Sequence, residues 1–127
     1  MAQMEKVMTV FDWWSGPVCG IANYKGVPCI YERIFDEVKD EWSDEYYLTP
    51  IGEDAVNILL GDWEIWCEAV RNGKPLTSYY ALPDRKKYFR IVELSEQKRA
   101  YKRAAVFRGQ IDKGFIPVDY YVEWIEK

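Results

Sequence analysis

Residues 36–45, DEVKDEWSDE, hold six carboxylates in ten positions: Asp36, Glu37, Asp40, Glu41, Asp44 and Glu45. Oxygen-rich clusters of this kind suit Mg²⁺ or Ca²⁺. A carboxyl pair with separated pKa values would serve general acid–base catalysis. The spacing fits neither chemistry. An EF-hand loop needs glycine at its sixth position and glutamate at its twelfth, and the run lacks both. A charged connection also has no pocket to hold one carboxyl protonated at neutral pH. The run reads as a solvated acidic connection, with a partner-facing acidic patch as the functional alternative.

Other catalytic vocabularies are missing too. The chain has no histidine, which removes the usual general base, the Ser-His and Cys-His pairs, and the commonest zinc ligand. Cys19, Cys29 and Cys67 are odd in number and fit no zinc spacing. Cys67 lies beside Trp66 and Glu68, surroundings that favour the thiol over the nucleophilic thiolate. All three are expected as free thiols. The glycines are dispersed at turns and form neither GxGxxG nor GxxxxGK, so nucleotide chemistry is unsupported. No catalytic residue, cofactor or metal is therefore expected, and an enzyme built on carboxylates or tyrosines is the third-ranked reading.

Charge is divided along the chain. Residues 1–68 carry 14 acids and 4 bases, and residues 69–127 carry 7 acids and 13 bases. Packing of the two halves against each other would neutralise much of this. The sharper reading is a basic face for an anionic partner. Its candidates are Arg85, Lys86, Lys87, Arg90, Lys102 and Arg103, with Tyr101 and Phe107 nearby for base stacking. The overall charge of −4 opposes a nucleic-acid partner, and no RNP1, helix-turn-helix or zinc-knuckle string is present.

The elements that must position these groups follow from periodicity. KVMTVFDWW is a β-rich run that Ser15-Gly16-Pro17 ends. CGIANY and VPCIYERIFD flank a turn at NYKG. A turn over Asn23–Gly26 sets Cys29 opposite Ile21 and Cys19 opposite Tyr31, whereas a tighter Lys25-Gly26 turn sets Cys29 opposite Ala22. WSDEYYLTP returns as a fourth strand. Val56, Leu59, Leu60, Trp63, Trp66, Cys67 and Val70 then recur at helical steps. That helix starts at Thr49-Pro50 or Gly52, stops at Asn72-Gly73, and reads as the centre of the core. KPLTSYYALP is a loop. A second helix begins at Pro83 and runs to Lys98-Arg99, with a strand through KYFRIVEL as the competing reading. AYKRAAVFRGQI and FIPVDYYVEWIEK form a closing hairpin, with Ile116, Val118, Tyr120, Val122 and Trp124 on one face.

The whole, residues 1–127, reads as a single α+β domain. It has an antiparallel sheet of about five or six strands, an N-terminal meander plus a C-terminal hairpin, with two helices packed on one side. No signal peptide or membrane span is visible, so the expected location is cytoplasmic, with no membrane partner.

DWWSGP puts two tryptophans before a breaker, and strand alternation sends Trp13 and Trp14 to opposite faces. Asp12 and Ser15 would hold the turn through local hydrogen bonds. The block FDWWSGPVCGIANYKGVPCIY…DEWSDEYYLTPI resembles the opening of small bacterial hypothetical proteins. Those begin with an aromatic-Asp-Trp-aromatic-x-Gly-Pro string. The likeness rests on Asp12, Trp13, Gly16, Pro17, Gly20, Gly26, Pro28, Trp42, Ser43, Asp44 and Pro50. It implies the hairpin and transfers no site. The aromatic share of 17% exceeds what a small core needs. With the acidic first half, it makes a non-enzymatic protein-binding domain of inhibitor, immunity or accessory type the leading reading. Its candidate contacts are Trp13, Trp14, Trp42, Asp40 and Asp44. Nucleic-acid binding through residues 85–108 is the alternative.

Overall fold

The computed structural model describes residues 4–73 and 85–126, with Arg85, Lys86 and Tyr88 described in backbone only. In chain order the strands are β1 (Met4–Lys6), β2 (Asp12–Trp13), β3 (Pro17–Tyr24), β4 (Val27–Asp36) and β5 (Glu41–Pro50). Helices α1 (Glu53–Arg71) and α2 (Arg85–Glu96) follow, then β6 (Tyr101–Asp112) and β7 (Ile116–Ile125). The α+β class holds, with seven strands rather than five or six. Every pairing is antiparallel, in the order β1-β7-β6-β5-β4-β3-β2. The difference in count comes from the N-terminal run, which is two short strands rather than one.

Those two strands are the ends of a single segment that changes partners. Up to Lys6 it pairs with β7, and the Val7 N–H still donates to the Tyr120 carbonyl at 3.1 Å. Val7 also bridges to Ala22 of β3. From there the N–H groups of Met8 and Thr9 both donate to the Ile21 carbonyl, at 2.9 and 3.2 Å, and that of Phe11 to Cys19 at 2.8 Å. Both edges of the sheet therefore meet on one segment, and the ladder closes into a small barrel.

Closure demands a close approach at Gly20. A Cβ there would lie 2.2 Å from the Thr9 carbonyl oxygen and 2.6 Å from the Tyr31 hydroxyl. Those two atoms are hydrogen-bonded to each other at 2.8 Å, and the Thr9 hydroxyl accepts the Ile21 N–H at 2.8 Å. Only glycine leaves room for this junction.

The core is aromatic and lies inside the barrel. Tyr24, Tyr31, Tyr46, Tyr120 and Trp124 are buried there, with Phe107 packed against them. Tyr31, Tyr46, Phe107 and Trp124 meet at ring separations of 5.5–6.3 Å, mostly edge-to-face or tilted, the geometry aromatic quadrupoles prefer. Helix α1 is not the centre of the core. It covers the outside of the wall, where Leu59 packs on Ile21 and Ile30 together with Ile91 of α2. Trp63 and Cys67 pack on Ile116. Strands β3 and β4 are apolar on both faces, so they serve the barrel interior and the helix layer at once.

Locally, most of the reading from periodicity stands. The β3–β4 hairpin takes the tighter of the two turns: Lys25 and Gly26 have φ of 52° and 78°, and Ala22 pairs with Cys29 and Cys19 with Glu32. All three cysteines are free. Helix α1 is capped by Gly52 and ends at Asn72, with Gly73 at φ 65°. Residues 85–96 are helix and not strand. The expected loop at 74–83 and the helix start at Pro83 lie outside the described residues. Val118 departs from its expected face and is exposed, next to the irregularity at Gln110/Ile111 that shifts the β6–β7 register. Among the described residues no helix is long and apolar enough to cross a membrane.

Two glycine substitutions test closure with opposite signs. Gly20→Ala must displace the N-terminal segment and is expected to lower stability by about 2–3 kcal/mol. Gly61→Ala, in the open on α1, is expected to raise it by about 0.5–1 kcal/mol. Urea midpoints at unchanged m-value measure both.

Candidate functional site at the barrel mouth

Three turns gather at one end of the barrel: β2–β3 at residues 14–16, β4–β5 at 37–40 and β6–β7 at 113–115. They carry a set of exposed apolar side chains. Trp14 is 66% exposed and Val38, the tip of the β4–β5 hairpin, 97%. Phe115 and Phe35 are exposed to 46% and 40%. Trp13 stacks on Phe115 at 4.9 Å, and Trp42 meets Phe35 edge-to-face at 5.1 Å. The exposed member of the tryptophan pair is thus Trp14, and its neighbour ties two turns together.

Arg33 joins the remaining pieces. Its Nε donates to the Ser43 carbonyl at 2.6 Å and its Nη1 to the Trp14 carbonyl at 2.8 Å. The Ser43 hydroxyl donates to the Ile34 carbonyl at 2.7 Å and accepts the Glu45 N–H at 3.2 Å. These bonds coincide with a register shift between Arg33 and Phe35. Such a bulge bends its strands and raises their twist. At the hairpin tip the Asp36 carboxylate accepts the N–H groups of Val38 and Lys39, at 3.0 and 3.1 Å, and Asp40 takes φ 52°. The acidic run is therefore a tight turn between two strands, shorter than the connection expected from its charge.

A cleft of about 300 Å³ opens beside the β2–β3 turn, lined by Ser15, Gly16, Arg33, Asp44, Tyr46, Phe107 and Tyr120 among others. Arg33 and Asp44 do not pair with each other among the described residues. Burial raises the Tyr46 phenol above its ordinary pKa, opposed by the Arg33 guanidinium and reinforced by Tyr120 and Asp44. Burial also raises Tyr120, and raises Tyr31 well above its ordinary value. The Tyr46 hydroxyl donates to the Pro17 carbonyl. These phenols stay protonated at neutral pH, and those of Tyr31 and Tyr46 donate to backbone carbonyls.

All five residues read from sequence as partner contacts lie at this end: Trp13, Trp14 and Trp42 as described, Asp40 in the turn and Asp44 on the cleft. Arg33, Phe35, Val38 and Phe115 were not among them. Val38 had a visible signal, a lone apolar residue inside a charged turn. Arg33 had none, since its partners are backbone carbonyls distant in sequence.

The basic set is not brought to one face. Arg103 turns toward the opposite end of the barrel, where Nε donates to the Tyr24 hydroxyl at 3.1 Å and the guanidinium lies 5.4 and 5.3 Å from the Tyr24 and Tyr101 rings. Lys102, next in the strand, is exposed and has the opposite parity. Lys87 and Arg90 are exposed on α2, and the side chains of Arg85 and Lys86 lie outside the described residues. Arg99 pairs with Glu32 at 2.7 Å and covers the Tyr47 ring at 4.4 Å, a neutralising contact between the basic and acidic halves.

Burial, helped by Asp12 and Glu32, pushes the Cys19 thiol up to about 12, and burial with Glu5 pushes Cys29 up to about 11. These thiols bind protons more tightly folded than unfolded. Their contribution is complete below the unfolded pKa of about 8.5 and is lost as pH rises through the folded values. The urea midpoint is expected to fall between about pH 9 and 11, and native Cys19 and Cys29 are expected to react with a disulfide reagent at pH 8 far more slowly than in urea.

Arg33→Ala removes two charge-assisted hydrogen bonds and is expected to cost about 2 kcal/mol. Arg33→Lys should not restore it, because an ammonium lacks the planar fork that spans both carbonyls. Thermal unfolding of the two variants measures this. No family model, curated protein or solved structure matches the chain.

Proposed function

We propose that the chain is a non-enzymatic protein-binding domain, of inhibitor, immunity or accessory type, that meets its partner with the barrel mouth. The observation carrying this reading is that Trp14, Val38, Phe35 and Phe115 are all exposed toward the end of the barrel where the β2–β3, β4–β5 and β6–β7 turns lie. Single exposed apolar residues are ordinary, whereas several collected at one end of a fold among polar groups support an interaction surface. Tryptophan is among the residue types that concentrate binding energy at interfaces, and Trp14 is exposed here.

The surroundings support a partner of particular chemistry. Asp36, Glu37, Asp40, Glu41 and Asp44 border the apolar tip against Lys39 alone. A partner with a basic rim around an apolar recess complements this surface, and its association would be fast at low salt and slower as screening rises.

Immobilised full-length chain, exposed to lysate of the cells that encode it, tests the reading by quantitative mass spectrometry. A protein is expected to be retained by the native chain, and retained at least tenfold less by Trp14→Ala and Val38→Asp. Ile65→Ala, an exposed apolar site on α1, should leave retention unchanged. Retention indifferent to both mouth substitutions would overturn the reading.

A further inference from the structure

The ladder between β5 and β6 stops early. Its register runs only from Glu45↔Ala104 to Leu48↔Tyr101. Beyond that point β5 continues against β4 to Asp36↔Glu41, and β6 continues against β7 to Asp112↔Ile116. Toward the mouth, Glu41 and Trp42 of β5 keep partners in β4, residues 105–112 of β6 lie along β7, and no pairing joins β5 to β6, among the described residues. In antiparallel strands alternate residues direct N–H and C=O to the same edge. The diverging strands therefore form a fork with backbone donors and acceptors unpaired on its inner edges.

The fork has a structural cause. The bulge clamped by Arg33, Ser43 and Ile34 turns the β4–β5 hairpin, and Ser43 takes the Glu45 N–H with its own hydroxyl. Pairing with β6 ends at that residue. The mouth cleft lies at the base of the fork, with Asp44 and Tyr46 from β5 and Ala105 and Phe107 from β6. Glu41 and Asp44 are exposed on the β5 arm, while Arg108, Gly109 and Gln110 are exposed along β6.

We infer that the fork receives an extended, basic segment of the partner, which adds to the free edge of β6 as a further strand. One large apolar or aromatic side chain of that segment enters the cleft and packs against the walls that Tyr46, Ala105 and Phe107 give it. Main-chain hydrogen bonds supply affinity in this mode, and the alternate side chains supply selectivity. Basic residues flanking the apolar one face the acidic β5 arm. The inference rests on the mouth being the binding end and specifies what the partner presents there.

A labelled heptapeptide that alternates lysine and valine around a central phenylalanine is the probe, titrated into the full chain by fluorescence anisotropy. Saturable binding is expected, weakened by added salt, and weakened at least fivefold by the surface pair Glu41→Lys and Asp44→Lys. Methylating every second backbone nitrogen of the peptide, in either phase, should weaken at least one of the two forms tenfold or more. Amide exchange in residues 105–112 should slow on binding. Equal binding of the methylated forms, or binding without protection of those amides, overturns strand addition and leaves the mouth as a surface for a folded partner. Failure of the peptide to bind also overturns it. Retention in the lysate experiment then decides separately whether the mouth binds protein at all.

Discussion

A missing methyl group at position 20 lets this sheet close. Where a Cβ would stand, the Thr9 carbonyl meets the Tyr31 hydroxyl, and the N-terminal segment is pulled against β3 while its beginning still holds β7. The interior depends on that seam. Tyrosines inside a barrel carry hydroxyls that are costly to bury unpaired, and several find backbone carbonyls at the margins: Tyr31 at Thr9 and Tyr46 at Pro17. The Trp124 indole does the same at Asn23, at 2.8 Å. An aromatic core is thereby made compatible with a small barrel, because its polar tips lie where strands turn or cross.

The two ends of the barrel are treated differently. At one, the Tyr24 hydroxyl accepts from Arg103 and donates to Glu126, and its ring packs against Tyr101. At the other, Arg33 donates to the carbonyls of Ser43 in β5 and Trp14 in the β2–β3 turn, and a cleft opens beside it. Charge follows the same asymmetry. The acids of the β4–β5 turn face solvent at the open end, whereas Glu32 is drawn to Arg99 on the flank. Arg99 is held above its ordinary pKa chiefly by that hydrogen bond.

Periodicity identified the β3–β4 hairpin, helix α1 and the β6–β7 hairpin because each is a local pattern with its own stop signal. It could not identify closure. A run such as KVMTVFDWW reports that it is extended but carries no mark of having two partners, one of them more than a hundred residues away. The same limit explains the misplaced core. Trp63 and Trp66 make a conspicuous stripe on a helix, while Tyr31, Tyr46 and Tyr120 are scattered over three strands and converge only once the sheet curls. At the mouth, the tryptophans and acids were legible as residue types. Arg33 and the shortened β5–β6 ladder were not, because both are defined by backbone partners.

The changing partnership of the N-terminal segment also bears on how the molecule is made. Residues 4–7 belong beside β7, the strand that a ribosome releases last of the seven. Hairpins β3–β4 and β6–β7 can assemble from neighbours in sequence, but the seam must wait for nearly the entire length of the wall. Non-local pairing of this kind slows folding relative to chains built from local contacts. Until β7 is present, residues 4–6 lack the strand against which they pair, and the seam that closes the barrel cannot form.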